Sequence, residues 1–147
     1  MRRVLPPTYF LFALVGMALL HVLWPLGRYL QFPLTLLGLA PLGLGILLNV
    51  VADRAFHRHL TTVKPFERSS ALVTDFPFSV TRNPMYLGMT LLLLGVALLL
   101  GTASPLVLVV VFPMVIDARF VRVEERMLAD AFGAEWQQYR ARVRRWL

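Results

Sequence analysis

Asn83-PMYLGMTLLLLGVALLLGTASPLVLVVVFPMV-Ile116 is a run of 34 residues without a single Asp, Glu, Lys or Arg. As one helix it would reach about 51 Å at 1.5 Å per residue, well beyond a hydrocarbon core of about 30 Å. Its middle, Gly101-Thr-Ala-Ser-Pro105, is turn chemistry. The run therefore reads as a hairpin, with one span over residues 85–100 and a second over 104–120. Two more uncharged runs of 24 residues each precede it, Val4–Gly27 and Tyr29–Ala52. They predict spans over 8–26 and 32–51. The expected fold is all-α: a polytopic helical membrane protein with about four transmembrane helices and a C-terminal cytoplasmic or interfacial helical tail. Residues 1–147 form one integral-membrane domain on this reading.

Composition agrees. Of 147 residues, 58% are hydrophobic and 16% charged, where a soluble domain has about 45–50% and 25%. Mean hydropathy is +0.67. Later segments are as apolar as the first, which argues against a cleaved leader. Cysteine is absent, so there is no disulfide, thiolate metal site, Cys nucleophile or palmitoyl anchor. The net charge of +7 suits an anionic membrane surface, and no nucleic-acid partner is expected. Its distribution sets the topology. Arg28 is the one basic residue between the first two spans, and the other 14 of 15 flank the spans on the opposite side. The positive-inside rule then puts both termini in the cytoplasm.

Two cytoplasmic pieces remain, a loop over 53–82 and a tail over 117–147. A loop this long is usually functional or disordered. In the tail, Phe120, Val123, Met127 and Ala131 share a helical stripe, with Val121, Leu128 and Phe132 beside it. Gly133 punctuates it. Trp136, Tyr139, Val143 and Trp146 mark a second amphipathic helix, studded with Arg140, Arg142, Arg144 and Arg145, of a kind that lies on an anionic leaflet.

Few polar residues are placed to carry chemistry. Asn83 is a suitable N-cap and Pro84 suits a first helical position. Arg82 beside that helix N-terminus makes a site for a carboxylate or phosphate, unless it is a snorkelling Arg beside a capped helix. Glu124 and Glu125 are either helical ion-pair partners of Arg119, Arg122 and Arg126 or ligands of one larger molecule. Helical neighbours point about 100° apart, so the pair cannot clamp one small atom. It can reach ribose hydroxyls and an ammonium. His57 and His59 share no helix face and have no evident third ligand, so no metal is expected. His21, alone in its span, reads as a helix–helix hydrogen bond. Gly43-Leu-Gly45 reads as close helix packing.

Leu72-VTDFPFSVTRNPMYL-Gly88, followed by Glu124-Glu125-x-x-Leu128-x-x-x-Phe132-Gly133-x-x-Trp136-x-x-Tyr139, resembles the paired signatures of the isoprenylcysteine carboxyl methyltransferase and phospholipid methyltransferase superfamily. The resemblance runs from about Gly43 to the C-terminus. It implies a membrane methyltransferase, of the small prokaryotic type, with S-adenosylmethionine as donor and the bacterial inner membrane as location. Ala71, Leu72 and Val73 would line the donor, with Phe78 where the carboxyl methyltransferases tend to have Tyr. Arg82, Asn83, Pro84, Met85, Tyr86, Glu124 and Glu125 would complete its site. Arg119, or else Arg122, matches the arginine on the acceptor side. Asn83 stands where the eukaryotic carboxyl methyltransferases commonly have His, and the phospholipid enzymes look like Asn-Pro-Met-Tyr here, which leaves the acceptor class open. The expected partner is a lipid-like or prenylated small molecule, isoprenylcysteine-like or a phospholipid amine. An NADPH-dependent reductase of the sterol-reductase type and a non-catalytic membrane scaffold are the readings from other classes.

Overall fold

The computed structural model describes residues 5–59 and 70–147. Arg2, Arg3, Lys64, Arg68 and the middle of the 53–82 loop lie outside the described residues. Helix α1 spans Pro6–Leu23, and a 3₁₀ turn at Leu34–Gly38 leads into α2, Leu39–Arg58. Helix α3 spans Pro84–Leu100 and α4 spans Leu106–Ile116. Helix α4 then widens into a π turn at Asp117–Val121 and continues as α5, Arg122–Arg142. The described residues form no strand, only two isolated bridges.

Punctuation explains most boundaries. Helices α1 and α3 start on Pro6 and Pro84, where a missing N–H costs nothing. Helix α3 ends at Gly101, whose φ of 69° is left-handed and suits glycine. The long uncharged run is thus a hairpin, as its length requires. Its turn is stitched to the α1–α2 connection: the Tyr29 N–H donates to the Gly101 carbonyl at 3.0 Å and the Ala103 N–H to the Leu26 carbonyl at 3.0 Å. His21 Nδ1 meets Thr102 Oγ1 at 2.8 Å, so its partner sits in that turn and not on a helix. Arg28 bridges Thr102, which puts it at the end of the bundle away from Arg82.

Some boundaries move. Residues 53–58, expected as loop, are the last turns of α2. They stay helical because Ala55 and Phe56 pack on Val73 and Phe78, and His57 Nδ1 contacts the Asp53 carbonyl at 2.9 Å. The fourth span, expected as one helix to about residue 120, is regular only to Ile116. Pro113 stands inside it and removes a backbone donor. Gly133, at φ 47° and ψ −114°, breaks α5 where the tail was expected to be punctuated.

Glycines seven apart set the α2–α3 contact. A Cβ on Gly45 would stand 2.6 Å from the Gly88 carbonyl, and one on Gly95 would stand 2.7 Å from that of Gly38. Helix α3 therefore touches α2 at one level and the 3₁₀ turn before it at another, backbone to backbone. Gly43 faces open space, so only Gly45 of the expected pair packs. Overpacking costs about 1–3 kcal/mol. We expect Gly45→Ala to lower the thermal midpoint of the purified protein and Gly43→Ala to leave it level or raise it. Equal midpoints for the two variants would contradict this packing.

The main core gathers Met17 of α1, Leu93 and Ala97 of α3, Phe112 and Ile116 of α4, and Phe120 and Val121 of the π turn. Among the described residues, two helical stretches, Pro6–Leu23 and Leu34–Arg58, are long and apolar enough to cross a membrane. Their outer faces expose Phe12, Leu19, Leu44 and Leu47.

Candidate active site

The segment Ser70–Asn83 is threaded between α2 and α5, and neighbouring side chains go opposite ways. Val73 and Phe78 bury against Ala52 and Ala55, with Phe56 and Met85 beside them. Leu72 joins the cluster of Trp136, Tyr139 and Val143 on α5. Ala71 is half-buried between them. The Tyr139 hydroxyl donates to the Phe78 carbonyl at 2.7 Å, and burial pushes its phenol up, so it stays a neutral donor.

This corrects the reading of the tail. Trp136 and Tyr139 are buried, at 1% and 4% exposure. Their stripe packs against Leu72 and the Phe78 carbonyl of the same chain and not against a leaflet.

Next in sequence, Thr81–Asn83 lies alongside Arg144–Arg145. The Arg82 N–H donates to the Arg144 carbonyl at 2.9 Å. Thr81 Oγ1 and Asn83 Nδ2 both donate to the Arg145 carbonyl, at 3.1 and 2.9 Å. Asn83 does occupy the N-cap position of α3, but its side chain makes no cap hydrogen bond. The carbonyl of Arg145 takes its amide instead. Pro84 is the first helical residue, as expected.

The two carboxylates separate as helical neighbours should. Tyr86, buried on α3, donates its hydroxyl to Glu124 Oε1 at 2.7 Å. Burial holds the Glu124 carboxyl above its ordinary range, and the Tyr86 bond only partly offsets this. Glu125 has cationic company. Arg82 Nη2 reaches its Oε1 at 2.7 Å and Arg145 Nη2 its Oε2 at 2.5 Å. Burial acts to raise the Glu125 carboxyl, but the hydrogen bonds from Arg145 and Arg82 outweigh it and hold the group below its ordinary value.

The expected free donors at Arg82 are therefore spent internally. Its Nη1 also donates to the Val143 carbonyl at 2.5 Å, and its guanidinium lies 5.8 Å from the centre of the Trp136 ring. The chain of charges continues outward: Arg145 Nη1 reaches Asp117 Oδ1 at 3.3 Å, and Arg122 Nε reaches Asp117 Oδ2 at 2.9 Å. Arg122 thus pairs with Asp117, where the sequence suggested Glu125. An open groove of about 470 Å³ is lined by Pro113, Met114, Asp117, Arg122, Arg145 and Trp146. Arg119 is exposed on the π turn.

The structure thus brings together Val73, Phe78 and Met85 in one cluster, Tyr86 with Glu124, and Arg82 with Glu125. Arg122 pairs with Asp117 and not with Glu124. Asp117 and Arg145 were not among the expected site residues, because no local pattern distinguishes Arg145 from the arginines around it. His59 and Arg58 both pair with Asp75, at 3.1 and 3.0 Å. Among the described residues no group of three His, Cys, Asp or Glu could hold a metal.

An uncharacterized protein of Haemophilus influenzae is 40% identical over 63 residues, which is 43% of this chain and the whole of that protein. The model of the phospholipid methyltransferase family matches residues 34–135. That stretch opens at the 3₁₀ turn before α2 and takes in the glycine contacts, the Asn83–Tyr86 start of α3, the π turn and both carboxylates. A match over more than half of the chain, through the residues that build both halves of the site, makes this protein a member of the phospholipid methyltransferase family and on that ground a methyltransferase.

Proposed function

We propose that the chain is an integral membrane enzyme that transfers a methyl group from S-adenosylmethionine to an amphiphilic acceptor at the inner leaflet. The observation that carries this reading is the Tyr86–Glu124 hydrogen bond. It joins the two signature segments and leaves a half-buried carboxylate facing a neutral hydroxyl, while Glu125 is spent on two guanidiniums. Glu124 fits the ammonium or a ribose hydroxyl of the donor. Arg82 and Asn83 fit its carboxylate poorly, because their donors are already engaged.

The donor is a sulfonium and brings its own activation, so the protein mainly aligns the partners and excludes water. Ala71, Leu72, Val73, Phe78, Pro84 and Met85 would supply the apolar surround, and Tyr86 would hold Glu124 in place. Arg122, next to the apolar Met114 and Trp146 of the groove, is the better placed of the two candidate arginines to meet an anionic acceptor group. Arg119 is the other candidate. An isoprenylcysteine-like carboxylate would need no base. The family match favours a phospholipid amine as the second reading, and that nucleophile must arrive unprotonated.

Mass spectrometry of small molecules that co-purify with the protein tests the donor. S-adenosylhomocysteine or its parent is the expected find, and NADP in its place would move the chain to the reductase reading. The exposed apolar faces of α1 and α2 and the one-sided charge support four spans with both termini cytoplasmic, in a bacterial inner membrane. Reporter fusions at Thr102 and after Leu147 should therefore report opposite sides of the membrane. A shared side would overturn the topology.

A further inference from the structure

We infer that Arg145 is a positioning residue: from the segment after α5 it fixes Glu125, and through Glu125 the rotation of α5 that sets Glu124 against Tyr86. The inference rests on the proposed role of Glu124 in donor binding.

Three separate ties converge on this one residue. Its guanidinium grips both oxygens of Glu125, with Nη2 to Oε2 at 2.5 Å and Nε to Oε1 at 3.1 Å. Its Nη1 reaches Asp117 at the start of the π turn, at 3.3 Å. Its carbonyl accepts from Thr81 and Asn83, the residues that lead into α3. The starts of α3, the π turn and α5 are thus tied to each other through a single side chain and its own peptide.

Geometry makes that tie consequential. Tyr86 lies in the first turn of α3 and Glu124 in the first turn of α5. No backbone bond joins those turns directly among the described contacts. A rotation of α5 by one residue is about 100°, enough to take Glu124 away from the Tyr86 hydroxyl. Glu125, next in sequence, is gripped from one side by Arg82 and from the other by Arg145. A carboxylate held by two forks has a fixed direction, and its neighbour's direction follows. Arg142, three residues earlier, does none of this. Its Nε donates to the Gln138 carbonyl on the exposed face of α5.

The test compares Arg145→Ala, Arg145→Lys and Arg142→Ala in the intact protein. Calorimetric titration with S-adenosylhomocysteine reads donor affinity, and amide hydrogen exchange reads local order without any ligand. Hydrogen bonds to charged groups contribute about 1.5–3 kcal/mol, which is roughly 10- to 100-fold in affinity. Arg145→Ala should weaken the analogue by at least the lower of these factors and raise KM for the donor while kcat at saturation holds. Exchange should quicken in the π turn and the first turns of α5 and stay unchanged in α1 and α2. Arg145→Lys keeps the charge without the fork and should fall between, and it carries the comparison if the alanine variant does not fold. Arg142→Ala should match wild type.

Wild-type affinity and exchange in Arg145→Ala would overturn the inference. So would exchange that quickens in every helix, which is a stability effect alone, or an equal loss in Arg142→Ala, which is a charge effect. A wild-type protein that does not bind the analogue would refute the donor reading. The exchange pattern would then still decide whether Arg145 orders α5.

Discussion

Arg82→Ala is expected to cost the folded protein about 3 kcal/mol, the low end of the range for breaking a buried ion pair. Arg82 and Glu125 are only 8% and 12% exposed at their side chains. Removing the guanidinium strips Glu125 of one of its two cationic partners and leaves the Val143 carbonyl without its Arg82 donor. Arg145 remains on Glu125, which is why the low end applies. For a domain of this size that is a fall of roughly 10 °C in the thermal midpoint. Arg82→Lys, with one point charge in place of a fork, should lose less.

The pH dependence gives a second check on the same pair. The Glu125 carboxyl is held below its unfolded value of 4.5. Its contribution is therefore complete above about pH 4.5 and is lost as pH falls through the lower folded value. Glu124 has the opposite sign. Its carboxyl is raised in the folded protein, so its contribution is complete below about pH 4.5 and is lost as pH rises through the folded value. Arg82→Ala should flatten the acid limb that belongs to Glu125 and leave the Glu124 limb standing. Thermal midpoints measured across the acid range decide this, and an unchanged acid limb in Arg82→Ala would show that the pair does not hold Glu125 down.

Glu124→Ala should weaken binding of S-adenosylhomocysteine by roughly 10- to 100-fold, the worth of one hydrogen bond to a charged group. The expectation follows from a carboxylate that the fold supplies with one neutral partner, Tyr86. Glu124→Gln separates two binding modes. It should do little harm if the carboxylate accepts from a ribose hydroxyl and nearly as much as alanine if it meets the ammonium. Tyr86→Phe removes the hydroxyl that steadies Glu124 and should cost less than either loss of charge. Because the Glu124 carboxyl is raised, affinity in wild type should climb as pH rises through that value and stay flat in Glu124→Ala. Titration calorimetry at several pH values is the measurement. Wild-type affinity in Glu124→Ala would reduce the residue to a helical partner of Tyr86.

What could be read from residues alone follows a simple division. Gly101-Thr-Ala-Ser-Pro105 is a local signal inside a run too long for one span, and the hairpin was legible for that reason. The stripe of Trp136, Tyr139 and Val143 was legible as an apolar face, since periodicity reports that a face is covered. It does not report by what, and the cover is Leu72 with the Phe78 carbonyl, not lipid. Asn83 has the composition of an N-cap, yet a carbonyl 62 positions away outcompetes the helix end for its amide. Arg82 and Glu125 are 43 positions apart, and nothing local marks them as partners. Long-range pairing of charges depends on how elements cross, which one sequence does not print.

The tie between Arg145 and the starts of α3 and α5 also orders events during synthesis. Helices leave the ribosome from α1 onward, so Tyr86 and Glu124 are both made before the residue that secures them. Glu125 can first pair with Arg82 alone, and the fork from Arg145 closes only after α5 has emerged. A nascent chain stopped within α5 would carry all four apolar helices, yet its two signature segments would still be free to shift against each other. On the proposed reading, membrane insertion would thereby precede the competence to bind a donor.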